Sequence, residues 1–312
     1  MIIRKVFYVL CAVLWLFPVA VRAQVTSERL LRSADDPQNW LMYSGTYSSQ
    51  RYSGLKQITV ANVKTLEQKW VFQAESLEKF EATPLVVDGI MYVTQAPSDV
   101  VALDAKTGRV FWIYRYYPTG AAPCCGSVNR GLAILGETLF VATLDANLVA
   151  LDAKNGRPLW KTSVAKAASG YTMTVAPLVV KDKVIVGVAG AEFGIRGFIA
   201  AYDARTGKEA WRFYTVPGPG EPGHETWQPD DWEHGGGSIW VTGSYDPDLN
   251  LTYWGTGNPG PDWNPAQRPG DNLYTTSVVA LDADTGARKW HFQFTPNDPY
   301  DYDSTQVPVL AD

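Results

Sequence analysis

Histidine and cysteine are scarce in this sequence: three of each among 312 residues. His224, His234 and His291 stand at no spacing that would gather zinc. There is no CxxCH haem attachment run, no GxSxG elbow and no P-loop, and no GxGxxG run opens a helix. These absences remove zinc enzymes, covalently attached haem within this chain, serine hydrolases of the elbow type and the common nucleotide cradles. Charge is sparse as well. Only 19 % of residues are charged, 27 basic against 32 acidic, for a net charge of −5. The basic side chains are scattered, so no nucleic acid partner is expected. What the sequence does have is 46 % hydrophobic residues, enough for a sizeable core.

The first residues read MIIRKVFYVLCAVLWLFPVAVRAQ. Arg4 and Lys5 make a short positive start, Val6 to Ala20 an apolar run, and Val21-Arg22-Ala23 a small-x-small cleavage pattern. The apolar run is too short for a spanning helix, which needs about 20 residues. The pattern predicts a cleaved signal peptide over 1–23, a mature domain over 24–312 and, from the bacterial style of the leader, a periplasmic destination. Cleavage removes three of the 27 basic residues and brings the net charge to −8. It also removes Cys11, leaving Cys124 and Cys125, which are adjacent. Neighbouring cysteines pair only through a small strained ring. Such a ring closes no loop, so pairing here would serve binding or redox chemistry rather than the fold.

A repeat organises the rest. VALDAKTGRVFW (Val101–Trp112), VALDAKNGRPLW (Val149–Trp160), AAYDARTGKEAW (Ala200–Trp211) and VALDADTGARKW (Val279–Trp290) align without gaps. Each predicts a strand, a turn closed by Asp, Thr or Asn and Gly, and a second strand ending in Trp. Another strand pair precedes the first three, turning at Asp88-Gly89, Gly136-Glu137 and Lys181-Asp182. Four strands per unit is the pattern of a β-propeller blade. The class is therefore all-β, with about four four-stranded blades and tryptophans that pack between them without carrying chemistry. Trp70 ends an earlier, partial unit. The wider spacing from Trp211 to Trp290 marks an insertion, a Pro- and Gly-rich loop containing PGPGEPGHETWQPDDWEHGGG. The last residues, STQVPVLAD, read as the opening strand of a further blade, so the sequence is expected to be part of a longer propeller, inactive alone.

Several polar residues follow apolar strands: Glu192 after KVIVGVAG, Asn258 in WGTGNPGP, and Asp301 and Asp303 in TPNDPYDYDSTQ. Each alone suits a turn. Together, on blade ends that converge toward one axis, they suit a hard cation, which takes carboxylate and amide oxygens from separate loops. Asp298 reads as a turn residue.

At this point the sequence resembles the N-terminal half of a pyrroloquinoline-quinone (PQQ)-dependent alcohol dehydrogenase of the methanol/ethanol dehydrogenase family. The resemblance runs from about Asp36 onward. It is carried by PCCGSVNRG (Pro123–Gly131), GAEFGIRG (Gly190–Gly197), GGGSIW (Gly235–Trp240), GTGNPGPDWN (Gly255–Asn264), RPGDN (Arg268–Asn272) and PYDYD (Pro299–Asp303). It implies a propeller of eight blades, a vicinal disulfide of Cys124 and Cys125 against one face of the quinone, and Trp240 against the other. It implies quinone contacts from Glu81, Arg130 and Thr174 and from the backbone N–H groups of Gly190 and Ala191. Ala189 stands where many members have serine. The implied metal ligands are Glu192, Asn258, Asp301 and Asp303, with Asp301 also the general base. Calcium members commonly have a small or neutral residue where Asp303 stands, whereas lanthanide members carry a second aspartate. A lanthanide is therefore expected in preference to Ca²⁺. The substrate expected is a small primary alcohol and the acceptor a cytochrome c, with a homodimer possible for the full-length enzyme. Two other readings share the blade repeat. One is a non-catalytic propeller scaffold of the outer-membrane assembly type, which needs none of these site residues. The other is a membrane quinoprotein glucose dehydrogenase, which has no adjacent cysteines.

Overall fold

The computed structural model describes residues 25–228 and 231–311; the predicted signal peptide lies outside them. Among the described residues, sixteen strands form four separate antiparallel sheets of four, each in sequential order. The first blade comprises β1 (Leu85–Val87), β2 (Ile90–Gln95), β3 (Asp99–Asp104) and β4 (Val110–Tyr114). The second has β5 (Leu132–Leu135), β6 (Thr138–Ala142), β7 (Asn147–Asp152) and β8 (Pro158–Ser163). The third has β9 (Leu178–Val180), β10 (Lys183–Gly187), β11 (Phe198–Asp203) and β12 (Glu209–Tyr214). The fourth has β13 (Ser244–Asp246), β14 (Leu251–Gly255), β15 (Ser277–Asp282) and β16 (Arg288–Gln293). This is the predicted blade grammar, and the two-residue turns fall where the sequence placed them. Among the described residues, no helix is long and apolar enough to cross a membrane.

Burial follows strand order. β7, β10 and β11 are buried almost throughout, while the outer β4, β8 and β16 alternate or face solvent. The core is thus the apolar side chains of the inner strands of neighbouring blades, packed face to face.

The Asp-Ala-x-x-Gly turn has two functions. Within its blade, the Asp carboxylate accepts N–H groups of the turn, as Asp104 does from Lys106 (2.8 Å) and Thr107 (3.0 Å). The ladder shifts register beside this turn in all four blades, at Ala102/Leu103, Ala150/Leu151, Ala201/Tyr202 and Ala280/Leu281. Between blades, the same turn receives the tryptophan of the preceding unit. Trp112 donates its indole N–H to Ala153 O (3.2 Å), Trp160 to Ala204 O (3.2 Å) and Trp211 to Ala283 O (3.1 Å). The ring then lies flat over the turn glycine. A Cβ built on Gly156, whose φ is +73°, would sit 2.6 Å from the Trp112 ring. Gly156→Ala therefore combines a left-handed backbone with overpacking of an interblade contact. It should destabilise the protein by about 2–4 kcal/mol, read as a lower urea midpoint at unchanged slope.

Two segments differ from expectation. Trp70 docks as predicted, with its indole N–H on Ala105 O (3.3 Å), but residues 66–74 form no strand. Residues 301–311 form none either. A strand needs a ladder partner, and here the backbone N–H of Ser304 goes to Thr256 O and that of Leu310 to Ser48 O. In the described part of the insertion between β12 and β13, Trp227 is buried and donates its indole N–H to Leu273 O at 2.5 Å.

Candidate active site

One cleft of about 270 Å³ gathers most of the residues singled out from the sequence. Its lining includes Glu81, Cys124, Cys125, Arg130, Thr174, Gly190, Glu192, Trp240, Asp301 and Asp303. These come from loops after β4, β8, β10, β12 and β16 and from the segment before β1. The convergence is a property of blade ends and not of any single motif.

Cys124 and Cys125 form a disulfide. Sγ of Cys124 lies 3.2 Å from Oε1 of Glu192, a close contact in which the bridged sulfur has no hydrogen to donate. Lys79, which also lines the cleft, donates its Nζ hydrogen to Cys125 O (2.8 Å) and so holds the disulfide loop. Arg130 is the one arginine in the lining. Its Nη2 pairs with Glu81 at 2.9 Å, its Nη1 donates to Thr174 Oγ1 at 2.8 Å, and its guanidinium carbon lies 4.9 Å from the Trp240 ring centroid. Burial lowers its pKa, opposed by the Glu81 charge, yet an arginine stays charged.

Three carboxylates face this group. Among the described residues none of Glu192, Asp301 and Asp303 enters an ion pair. Burial first, then the neighbouring carboxylates Asp262, Glu192 and Asp298, push Asp301 up to about 6. Asp303 is likewise pushed up to about 6, by burial and by Asp301 and Glu192, against relief from the Asn258 N–H and the Trp240 side chain. Like charges held together with no ion pair of their own are what a bound cation would relieve.

The strands explain how these acids are delivered. The Gly255-Thr256-Gly257 run lets the distal segment lie directly against β14. A Cβ on Gly255 would run into Ser304 O, and one on Gly257 would meet Asp303 Oδ1 at 2.6 Å. Asn258 N–H then donates to Asp303 Oδ1 at 3.0 Å. Asp298 is the turn residue that the sequence suggested. Fully buried, its carboxylate accepts the N–H of Tyr300 (2.9 Å) and Tyr302 (2.7 Å). Turning alternate N–H groups inward leaves Asp301 and Asp303 at φ +61° and +40°, in the left-handed region. That conformation costs about 1–2 kcal/mol for each non-glycine residue, and such cost is tolerated where a side chain must be aimed.

One predicted contact, the Ala191 backbone N–H, is already committed elsewhere. The Ala191 N–H donates to Ser238 Oγ at 3.0 Å, and Ala191 itself is buried, so it has no donor to offer. Asn258 is 3 % exposed and is not itself a lining residue, but it lies beside Asp303, and among the described residues its side-chain Oδ1 carries no hydrogen bond. Sequence reasoning also missed two partners. Asp262 accepts the Asn258 side-chain amide at 2.6 Å. Arg268, fully buried, donates to Pro261 O, Asp262 O, Asn272 Oδ1 and Asp298 O. The RPGDN run was the signal for Arg268, since a buried arginine must find acceptors.

The family model for the glucose/ethanol/alcohol dehydrogenase β-propeller domain of PQQ enzymes matches residues 40–312. The chain belongs to the PQQ-dependent alcohol dehydrogenase family. Its relatives within that family include a quinohemoprotein alcohol dehydrogenase, ADH IIB, of Pseudomonas putida, 43 % identical over 95 % of this chain and 45 % of the relative. Methanol dehydrogenase [cytochrome c] subunit 1 of Methylobacterium organophilum is 40 % identical over 96 % of this chain and 53 % of its own length. Among solved structures, a europium-containing methanol dehydrogenase superposes with a TM-score of 0.85 at 41 % identity, over 89 % of this chain and 52 % of that one. The chain thus spans about half the length of the curated relatives it matches. PQQ-family membership favours the dehydrogenase reading over the scaffold one. The cleft fits the family's cofactor in kind: an arginine for acidic groups, a disulfide and an indole for flat faces, and unpaired carboxylates for a metal.

Proposed function

We propose that the protein oxidises small primary alcohols to aldehydes in the bacterial periplasm, using PQQ and a metal ion in this cleft and a cytochrome c as acceptor. The observation that carries the reading is the convergence of the Cys124–Cys125 disulfide, Trp240, the Arg130–Glu81 pair and three unpaired carboxylates in one cleft. The leader supports the location. The cytochrome c named with a relative supports the acceptor.

The disulfide and Trp240 would hold the two faces of the flat group, and Arg130 its acidic edge, in charge-assisted contact. Thr174 Oγ1 keeps the guanidinium in place. Glu192, Asn258, Asp301 and Asp303 would hold the metal. When bound, the quinone supplies the two-electron acceptor and the metal the Lewis acid that polarises it. The part left to the protein is the proton: Asp301 accepts it from the alcohol hydroxyl. The second aspartate, Asp303, favours a trivalent lanthanide over Ca²⁺, because higher charge needs more anionic oxygen.

The test is reconstitution of the holoenzyme with PQQ and either La³⁺ or Ca²⁺, followed by dye-linked ethanol oxidation. Activity is expected with La³⁺. Activity with Ca²⁺ alone would refute the lanthanide assignment. Failure of PQQ to bind, seen as unchanged tryptophan fluorescence, together with inactivity under both metals would refute the function.

A further inference from the structure

We propose that Asp262 is a positioning residue whose carboxylate fixes the Asn258 side-chain amide so that Oδ1, and not Nδ2, is left for a hard cation. The inference rests on the metal-site reading above. Asn258 Nδ2 donates to Asp262 Oδ1 at 2.6 Å and to Pro259 O at 3.3 Å. Both amide hydrogens therefore have acceptors. The flipped amide would set its oxygen against a carboxylate and a carbonyl, with no hydrogen between them, so the network decides the orientation. The rest of Asn258 is committed too. Its N–H donates to Asp303 Oδ1 (3.0 Å), and its carbonyl accepts from Gly237 N–H (2.9 Å). Among the described residues, no hydrogen bond reaches Asn258 Oδ1. An asparagine with every donor used and one acceptor left is prepared for a cation and not for an anion.

Asp262 is itself held. Its backbone carbonyl accepts from Arg268 Nη2 at 3.0 Å, and the preceding carbonyl, of Pro261, accepts from Arg268 Nε at 3.0 Å. The half-buried carboxylate thus has a fixed backbone beneath it and a charge-assisted bond to the amide. Outer partners of this kind orient ligands without touching the metal, and their loss typically weakens metal binding about 10–100-fold.

The experiment is titration of the full chain with Tb³⁺, read by tryptophan-sensitised emission. Wild type is compared with Asp262→Ala, Asp262→Asn and Glu192→Gln. Thermal unfolding of each metal-free variant reports folding separately. Glu192→Gln identifies the fraction of the emission that belongs to this site. Asp262→Ala is expected to bind Tb³⁺ about 10–100-fold more weakly. Asp262→Asn, which keeps an acceptor oxygen for Nδ2, is expected to recover most of that loss. Equal affinity of Asp262→Ala and wild type would overturn the inference. So would an Asp262→Asn as weak as Asp262→Ala, because the carboxylate would then act as a ligand or a charge. Absence of site-specific emission in wild type would overturn the metal reading itself, an outcome distinct from equal affinities.

Discussion

Replacing Asp301 with asparagine should slow alcohol oxidation by the holoenzyme about 10²–10⁴-fold, the range for loss of a general base. The substitution keeps the shape and the left-handed backbone, which asparagine tolerates well. It removes the ability to take a proton. Asp301 is suited to that role because burial and the neighbouring acids raise it to about 6. It is ionised at neutral pH yet more basic than an ordinary carboxylate. The same shift fixes the sign of the pH dependence. As pH falls through the pKa of this group the base is protonated and the rate drops. As pH rises the rate recovers. A bound cation moves this limb to lower pH, since it favours the ionised form. The limb should vanish in Asp301→Asn. A rate within tenfold of wild type, or an unchanged acid limb, would assign the proton to another group. Asp303, pushed up by the same surroundings, is the group to examine then.

How much of this could be read in the sequence depends on the range of the interaction. The blade turns were legible because Asp104 and Gly108, or Asp152 and Gly156, solve a local problem: an N–H acceptor and a positive φ within five residues. The docking of Trp112 on Gly156 was legible as a repeat, but only the structure shows that the glycine also clears space for the ring of another blade. The site acids were legible as types at strand ends. Their grouping needed the closure of several loops on one cleft. Asp298 was correctly a turn residue, but nothing local says that it is fully buried and organises Asp301 and Asp303. The Ala191 N–H was misjudged for a related reason. Its acceptor, Ser238 Oγ, lies 47 residues away, on the loop that carries Trp240. The segment after Asp303 reads as a strand by composition, but composition supplies no partner, and its N–H groups are used on Thr256 and Ser48 instead.

Arg268 tests the longest of these links. It is fully buried, and its guanidinium spans two loops: Pro261 and Asp262 on the Asn258 side, Asp298 on the side of the two aspartates. Asn272 Oδ1 takes a further hydrogen at 3.0 Å. Burial lowers its pKa, and the charges of Asp298 and Asp262 oppose that shift. Arg268→Met, close in volume, strips donors from three backbone carbonyls, that of the fully buried Asp298 among them, and from an amide oxygen. It also removes the positive charge that the nearby Asp298 and Asp262 carboxylates favour. A hydrogen bond from a charged group contributes about 1.5–3 kcal/mol, so losing four at once is expected to cost several kcal/mol, about 3–5, in urea unfolding of the metal-free protein. Arg268→Lys restores the charge but not the planar fork, and a single ammonium cannot reach both loops. It should recover only part of the loss. The two loops it joins carry Asn258, Asp301 and Asp303, so both variants should also weaken Tb³⁺ binding, Met more than Lys. If Arg268→Met unfolds at the wild-type midpoint, the loops are held by the β14 contacts alone: Ser304 N–H on Thr256 O and Asn258 N–H on Asp303. The glycines of the GTG run, rather than the arginine, would then be what sets the distance between the acids and the rest of the cleft.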